Sequence, residues 1–225
     1  MPTPDATPRV QLAEQLAEAT VEALRQDLAG RERALLVLSG GSTPVPFFRA
    51  LSSRDLPWSR VDVTLADERW VPEAAEASNA RLVREHLLVG PASSANFVSL
   101  ITDDATPEQG AEAVARRIVA LPWPASMVVL GMGGDGHTAS LFPDSRELDL
   151  ALSTADAVVA VRSPSQPQAR ITLSADRLHQ ARRHALHITG GDKRSVLARA
   201  LSGDDLRELP IRAFLSCPLA VYWAP

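Results

Sequence analysis

The chain has 225 residues, 45% hydrophobic and 22% charged, with a formal net charge of -4, the make-up of an ordinary globular protein that can bury one core. Its acidic balance argues against a nucleic-acid groove, and no run reaches the roughly 18 apolar residues that a membrane span needs. One cysteine, Cys217, excludes an intrachain disulfide and a zinc site built from cysteines, which makes reducing cytoplasm the default compartment.

The opening "MPTPDATPRV" has no basic segment followed by an apolar one, so residues 1–8 read as a frayed tail rather than a secretory signal. From Val10 to Ala29 apolar residues recur every three or four positions, predicting an amphipathic helix ended by Gly30. "ALLVL", Ala34 to Leu38, is a continuous apolar strand running into a Gly-Gly turn, and "VDVTLAD" is a second strand ending at Asp67. Ser78 is placed to cap a helix through Leu88, and Pro107 opens a longer one. "SMVVLGMG" is a buried strand; "AVVAV", "RITLS", "HALHITG" and "LAVYW" follow as strands, with helices at "ADRLHQARR" and "DKRSVLARALS". Proline-rich "RSPSQPQAR" reads as a surface loop. Strands that are nearly all apolar rather than alternating, and that alternate with helices, predict an α/β domain over residues 1–225, with a mostly parallel sheet covered on both faces.

Ligands of such sheets lie beyond the carboxyl ends of the strands, which gives four segments a common rim: Ser39–Pro44, Asp67–Arg69, Gly131–His137 and Gly190–Lys193. In "SGGSTP", Gly40 and Gly41 let backbone N–H groups turn inward, and Ser42 and Thr43 add hydroxyls before a helix start, a ready anion site. The Gly-Lys-Ser/Thr ending of a nucleoside-triphosphate loop is missing. Asp67 is suited to orient a sugar hydroxyl or move a proton, and Arg69 to grip an oxyanion. Surface ion pairing is the plain alternative for both. Lys193 is the single lysine beside 22 arginines, and it falls in the first turn of a helix, where a cation opposes the dipole unless an anion binds there. Arg170 is a second candidate anchor.

"LGMGGDGHTASLFP", residues 130 to 143, matches the spacing G-x-G-x-x-G through Gly131, Gly133 and Gly136. A dinucleotide turn needs a full helix after its glycines, yet Pro143 would interrupt that helix after about two turns. Arg162, not an acid, follows the next strand. The other reading is that the glycines turn the chain sharply and project Asp135 and His137 onto the rim, where an imidazole oriented by a carboxylate can take a proton from water. His86, His179, His184 and His187 read as packing or surface residues.

Taken together, "LSGGSTP", "ADERWVP", "SNARLVREHLL", "LGMGGDGHTASLFP", "RITLS" and "GGDK" resemble the 6-phosphogluconolactonases, in order from about Leu36 to Leu197. The resemblance implies a three-layer α/β/α fold shared with glucosamine-6-phosphate deaminase. It also implies a cytoplasmic, monomeric enzyme that hydrolyses 6-phospho-D-glucono-1,5-lactone without cofactor or required metal, its partner being that small phosphosugar lactone. Carried over, His137 resembles the general base and Asp135 its supporting acid. Gly40, Gly41, Ser42 and Thr43 match the phosphate-facing loop, Arg69 and Lys193 the basic residues near the phosphate, and Arg170 the arginine of an R-[IV]-T-L segment. Asp67 and Gly133 complete the expected substrate-binding set. Gly134 and Asp144 depart from the family pattern, which more often has proline or a larger residue at the first and glycine at the second. The related deaminases have segments like "DEY" and "DGHIAFNEP"; the glutamate of the latter has no counterpart here.

Overall fold

The computed structural model describes residues 8–225; of the tail expected at residues 1–8, residues 1–7 lie outside the described residues, and Pro8, against that expectation, belongs to a helix. The helices are α1 (Pro8–Gly30), α2 (Val45–Ser52), α3 (Asn79–His86), α4 (Pro107–Val119), α5 (Leu148–Ser153), α6 (Ala175–His179), α7 (Gly191–Leu201) and α8 (Arg212–Leu215). The strands are β1 (Ala34–Leu38), β2 (Val61–Leu65), β3 (Asp67–Arg69), β4 (Asn96–Val98), β5 (Met127–Leu130), β6 (Val158–Val161), β7 (Arg170–Leu173), β8 (His184–Thr189) and β9 (Leu219–Ala224).

Six strands form a wholly parallel sheet in the order β4-β2-β1-β5-β8-β9. Strands β1, β2 and β5 are buried at every position, because helices cover both faces and leave no solvated side to call for alternation. Helix α1 turns Leu16, Ala17, Val21 and Leu24 inward and packs along α2 and against β1, β5 and β9, while α7 packs on β8. The result is the expected three-layer α/β/α arrangement around a mostly parallel sheet. No helix among the described residues is long and apolar enough to cross a membrane.

The chain builds outward from β1 through β2 to β4, then returns to β5 on the other side of β1 and continues to β8 and β9. Strand order therefore reverses between β1 and β5, and the crevice beyond their carboxyl ends is the place where such sheets bind ligands.

Three strands depart from the sequence reading. "VDVTLAD" is not one strand, and "AVVAV" and "RITLS" do not join the main sheet; instead β3, β7 and β6 form a separate antiparallel sheet, pairing Arg69 with Arg170 and Val159 with Thr172. Ala66 is the crossing point. Its N–H donates to Leu38 O at 2.8 Å while its carbonyl accepts from Leu173 N at 2.8 Å, so the chain leaves one sheet and enters the other within a single residue.

Candidate active site

The loops after β1 and β5, strand β3, the start of β7 and the first turn of α7 close around one cleft of about 340 Å³. Its lining includes Gly40, Gly41, Ser42, Thr43, Asp67, Arg69, Gly133, His137, Arg170 and Lys193. Every proposed site residue except Asp135 thus faces this cleft, and Asp135 reaches it through His137.

The turn after β5 is held from within. Gly133 N–H donates to His137 O at 2.8 Å and Gly136 N–H to Gly133 O at 3.2 Å, while the φ of +78° at Gly136 lies in the left-handed region that favours glycine. This folds the chain back so that Asp135 Oδ1 sits 2.6 Å from His137 Nδ1 and also accepts from His137 N–H at 3.2 Å. A carboxylate on Nδ1 fixes the neutral imidazole with its proton there and its lone pair on Nε2. Burial pulls the Asp135 carboxyl upward, but the hydrogen bonds and charge of His137 outweigh it and hold it below its ordinary value. The His137 ring also leans on Phe142, with centroids 4.4 Å apart. No helix follows Gly136 until α5; instead Leu141 N–H closes a turn on Thr138 O at 3.0 Å. That removes the dinucleotide reading.

The cleft is also cationic. Arg69 and Arg170 both line it, and their guanidinium charge is available to an anion there; their Nε–H groups are buried without a hydrogen-bond partner. Arg69 Nη1 donates to Ala77 O, and Arg170 Nη2 to Gln166 Oε1 at 2.7 Å. Asp67 lies 3.6 Å from Arg170 Nη1 and accepts from Ser140 Oγ at 2.5 Å. Lys193, in the first turn of α7, reaches over the histidine loop: a Cβ built on Gly134 would meet its Nζ at 3.8 Å. Burial draws the Lys193 ammonium below its ordinary pKa, against the pull of Asp135 and Asp192. A Cβ at Gly134 would therefore meet nothing closer than ordinary van der Waals contact. The other departure has a local use, since Asp144 accepts from Ser163 Oγ at 2.6 Å and from Ser165 N–H at 2.9 Å. It moors the proline-rich loop, which is therefore not merely a surface excursion but delivers Gln166 to the cleft.

Four residues of the site escaped the sequence reading. Asn79 donates from Nδ2 to Asp67 O at 3.0 Å and lies so close under Gly40 that a Cβ there would stand 1.9 Å from its Oδ1. Gln166 joins the cleft as described. Glu68 is fully buried and accepts from the N–H groups of Arg69, Asn79 and Ala80 at 2.7–2.8 Å and from Ser78 Oγ at 3.1 Å. Burial pushes its carboxyl above the ordinary range, and the backbone donors draw it back only in part. Strand alternation was the available signal, because it sets Glu68 opposite Asp67 and Arg69.

The fourth is His187, read as a packing residue, which it is, edge-on to Phe47 with centroids 6.1 Å apart, but it also lines the cleft. Burial lowers its pKa from 6.5 to about 4. Between those values the unfolded chain binds the proton and the folded chain does not. Stability should therefore be greatest above pH 6.5 and fall as the pH drops toward about 4, by on the order of 3 kcal/mol in full. Urea unfolding across this window should lose most of that slope in His187→Phe; an unchanged slope would assign the acid sensitivity elsewhere.

The family described as glucosamine-6-phosphate isomerases/6-phosphogluconolactonase matches residues 7–223. The chain belongs to this family. It is 47% identical over 212 residues to a 6-phosphogluconolactonase of Pseudomonas aeruginosa, covering 93% of this chain and 89% of that protein. The crystal structure of a 6-phosphogluconolactonase from Shewanella baltica superposes with a TM-score of 0.96 at 44% identity, over 98% of this chain and 96% of that one. A monomeric glucosamine-6-phosphate deaminase, 17% identical, superposes with a TM-score of 0.76 over 97% of this chain and 95% of its own and shares the fold.

Proposed function

We propose that this family member is a 6-phosphogluconolactonase, hydrolysing 6-phospho-D-glucono-1,5-lactone to 6-phosphogluconate with His137 as general base. The observation that carries the reading is the 2.6 Å contact from Asp135 to His137 Nδ1 on the rim of a cleft that Arg69, Arg170 and Lys193 also line. The names of the relatives support the substrate. Ser42, Thr43, the N–H groups around Gly40 and Gly41, Arg69 and Lys193 take the phosphate. Asp67 and Arg170 fix the ring, which sets C1 beside the imidazole.

His137 Nε2 accepts a proton from water as the water oxygen bonds to C1, and Asp135 stabilises the imidazolium that results. Charge on the former carbonyl oxygen is met by loop N–H groups or a guanidinium. As the tetrahedral intermediate collapses, the C1–ring-oxygen bond breaks and the imidazolium returns its proton to the departing oxygen. Water is added across one ester bond, and no electrons leave the substrate.

Generating the lactone with glucose-6-phosphate dehydrogenase and following its disappearance tests the assignment. Faster loss with the protein present is expected. Tight binding of 6-phosphogluconate without turnover would instead mark a sugar-phosphate sensor, and ammonia released from glucosamine 6-phosphate a deaminase.

Gly133 offers a finer test. A Cβ there would stand 2.1 Å from His137 Nδ1 and 2.4 Å from Asp135 Oδ1, so Gly133→Ala must push the pair apart. A displacement near 1 Å costs about 10²-fold in rate. Steady-state turnover should fall by that order with the unfolding midpoint little changed; wild-type turnover would show that the pair need not keep its spacing.

A further inference from the structure

We propose that His179, His184 and Cys217 form a binding site for a zinc-class divalent ion, on the rim of the sheet opposite the cleft. One ligand atom from each of the three lies within 4.8 Å of the other two. Tetrahedral zinc, with bonds of about 2.0–2.1 Å to nitrogen and about 2.3 Å to sulfur, sets its ligand atoms about 3.3–3.7 Å apart. Rotation of an exposed side chain closes that gap, and His179 is exposed. A single cysteine rules out a multi-thiolate site but not a mixed one, and two imidazoles with one thiolate suit zinc's borderline softness.

The surroundings favour binding over chance proximity. His184 is buried and its Nε2 donates to Leu178 O at 2.9 Å, which keeps the proton on Nε2 and the lone pair on Nδ1, the outer hydrogen bond that orients metal-bound histidines. Phe214, fully buried, stacks on His179 with centroids 4.7 Å apart. Cys217 is half-buried and its thiol donates to Phe214 O at 2.9 Å; zinc would take the thiolate and release that proton to solvent, leaving a fourth position open to water. The site is remote from the cleft. His184 opens β8 and His187 to Thr189 close it beside the cleft, so His184 and Thr189 are about 16 Å apart along the strand.

Chelator-stripped protein titrated with Co²⁺ should take up one ion per chain with a thiolate-to-cobalt charge-transfer band, and one equivalent of Zn²⁺ should displace it. Cys217→Ser should abolish the band, and His179→Ala should weaken zinc binding at least about tenfold. Lactone turnover is expected to be the same with and without zinc. Saturation with Co²⁺ without the band, or equal zinc affinity in wild type and both variants, would overturn the site; zinc-dependent turnover would overturn its separation from the cleft. None of the metal readouts requires the lactonase reading to be right.

Discussion

His137→Ala is expected to lower kcat for lactone hydrolysis by on the order of 10²–10⁴-fold, the usual worth of a positioned acid–base group, while 6-phosphogluconate binds nearly as well as before. The split follows from the layout of the cleft. The groups assigned to the phosphate, Ser42, Thr43, Arg69 and Lys193, belong to other loops and strands and do not depend on the imidazole for their place. The His137 side chain is partly exposed and leans on Phe142 without supporting the core, so the variant should fold. Turnover is best measured at mildly acidic pH, where spontaneous hydrolysis of the lactone is slow, and binding by calorimetry. A variant that kept full activity would remove His137 from the mechanism. One that lost binding and activity equally would make the histidine an anchor for substrate.

The second large effect is expected on stability. Glu68→Ala removes one buried carboxylate and strands three backbone N–H groups and one hydroxyl: those of Arg69, Asn79 and Ala80, and Ser78 Oγ. Two of these N–H groups open α3, where the helix has no acceptor of its own to offer. At roughly 1–3 kcal/mol for each unsatisfied buried donor, and with some rescue by entering water, the loss should be about 3–5 kcal/mol. Glu68→Gln keeps the shape but turns an NH₂ toward N–H donors, so it should recover only part of the loss. Function should suffer as well, because Glu68 ties β3 to α3 and thereby sets Arg69 in the cleft and Asn79 under Gly40. A raised KM with a smaller change in kcat is expected for Glu68→Gln, measured below its unfolding transition. Wild-type unfolding curves for both variants would show that solvent replaces the carboxylate at no cost.

The centre of the main sheet is legible because burial on both faces leaves a continuous apolar run at β1 and β5, followed by Ser39 and Gly131, whereas β2 and β8 carry Asp62, Thr64, His184 and His187 and are marked more by the Asp67 and Gly190 turns beyond them. The half-exposed edge strand β4, Asn96–Val98, carries no such run and went unnoticed. The small antiparallel sheet was hidden for a different reason. "AVVAV" and "RITLS" have strand composition whichever sheet they enter, and what decides is the pairing of Arg69 with Arg170, a contact between segments some hundred positions apart. In the site, the glycines and charged residues at loop tips can be read from their chemistry, but Gln166 and His187, which also line the cleft, cannot. Nor can the supports. Asn79 looks like the first residue of a helix and Glu68 like one more surface acid until the fold places them beneath the loop they hold.

On the proposed reaction, one phosphorylated sugar acid bridges the cationic residues of the cleft and the histidine. A crystal structure with 6-phosphogluconate tests it most directly. The phosphate should lie within hydrogen-bond distance of Ser42 or Thr43 and of Lys193, with the C1 carboxylate beside His137 Nε2. A phosphate seated outside the β1 loop, or a C1 carboxylate out of reach of the imidazole, would contradict it.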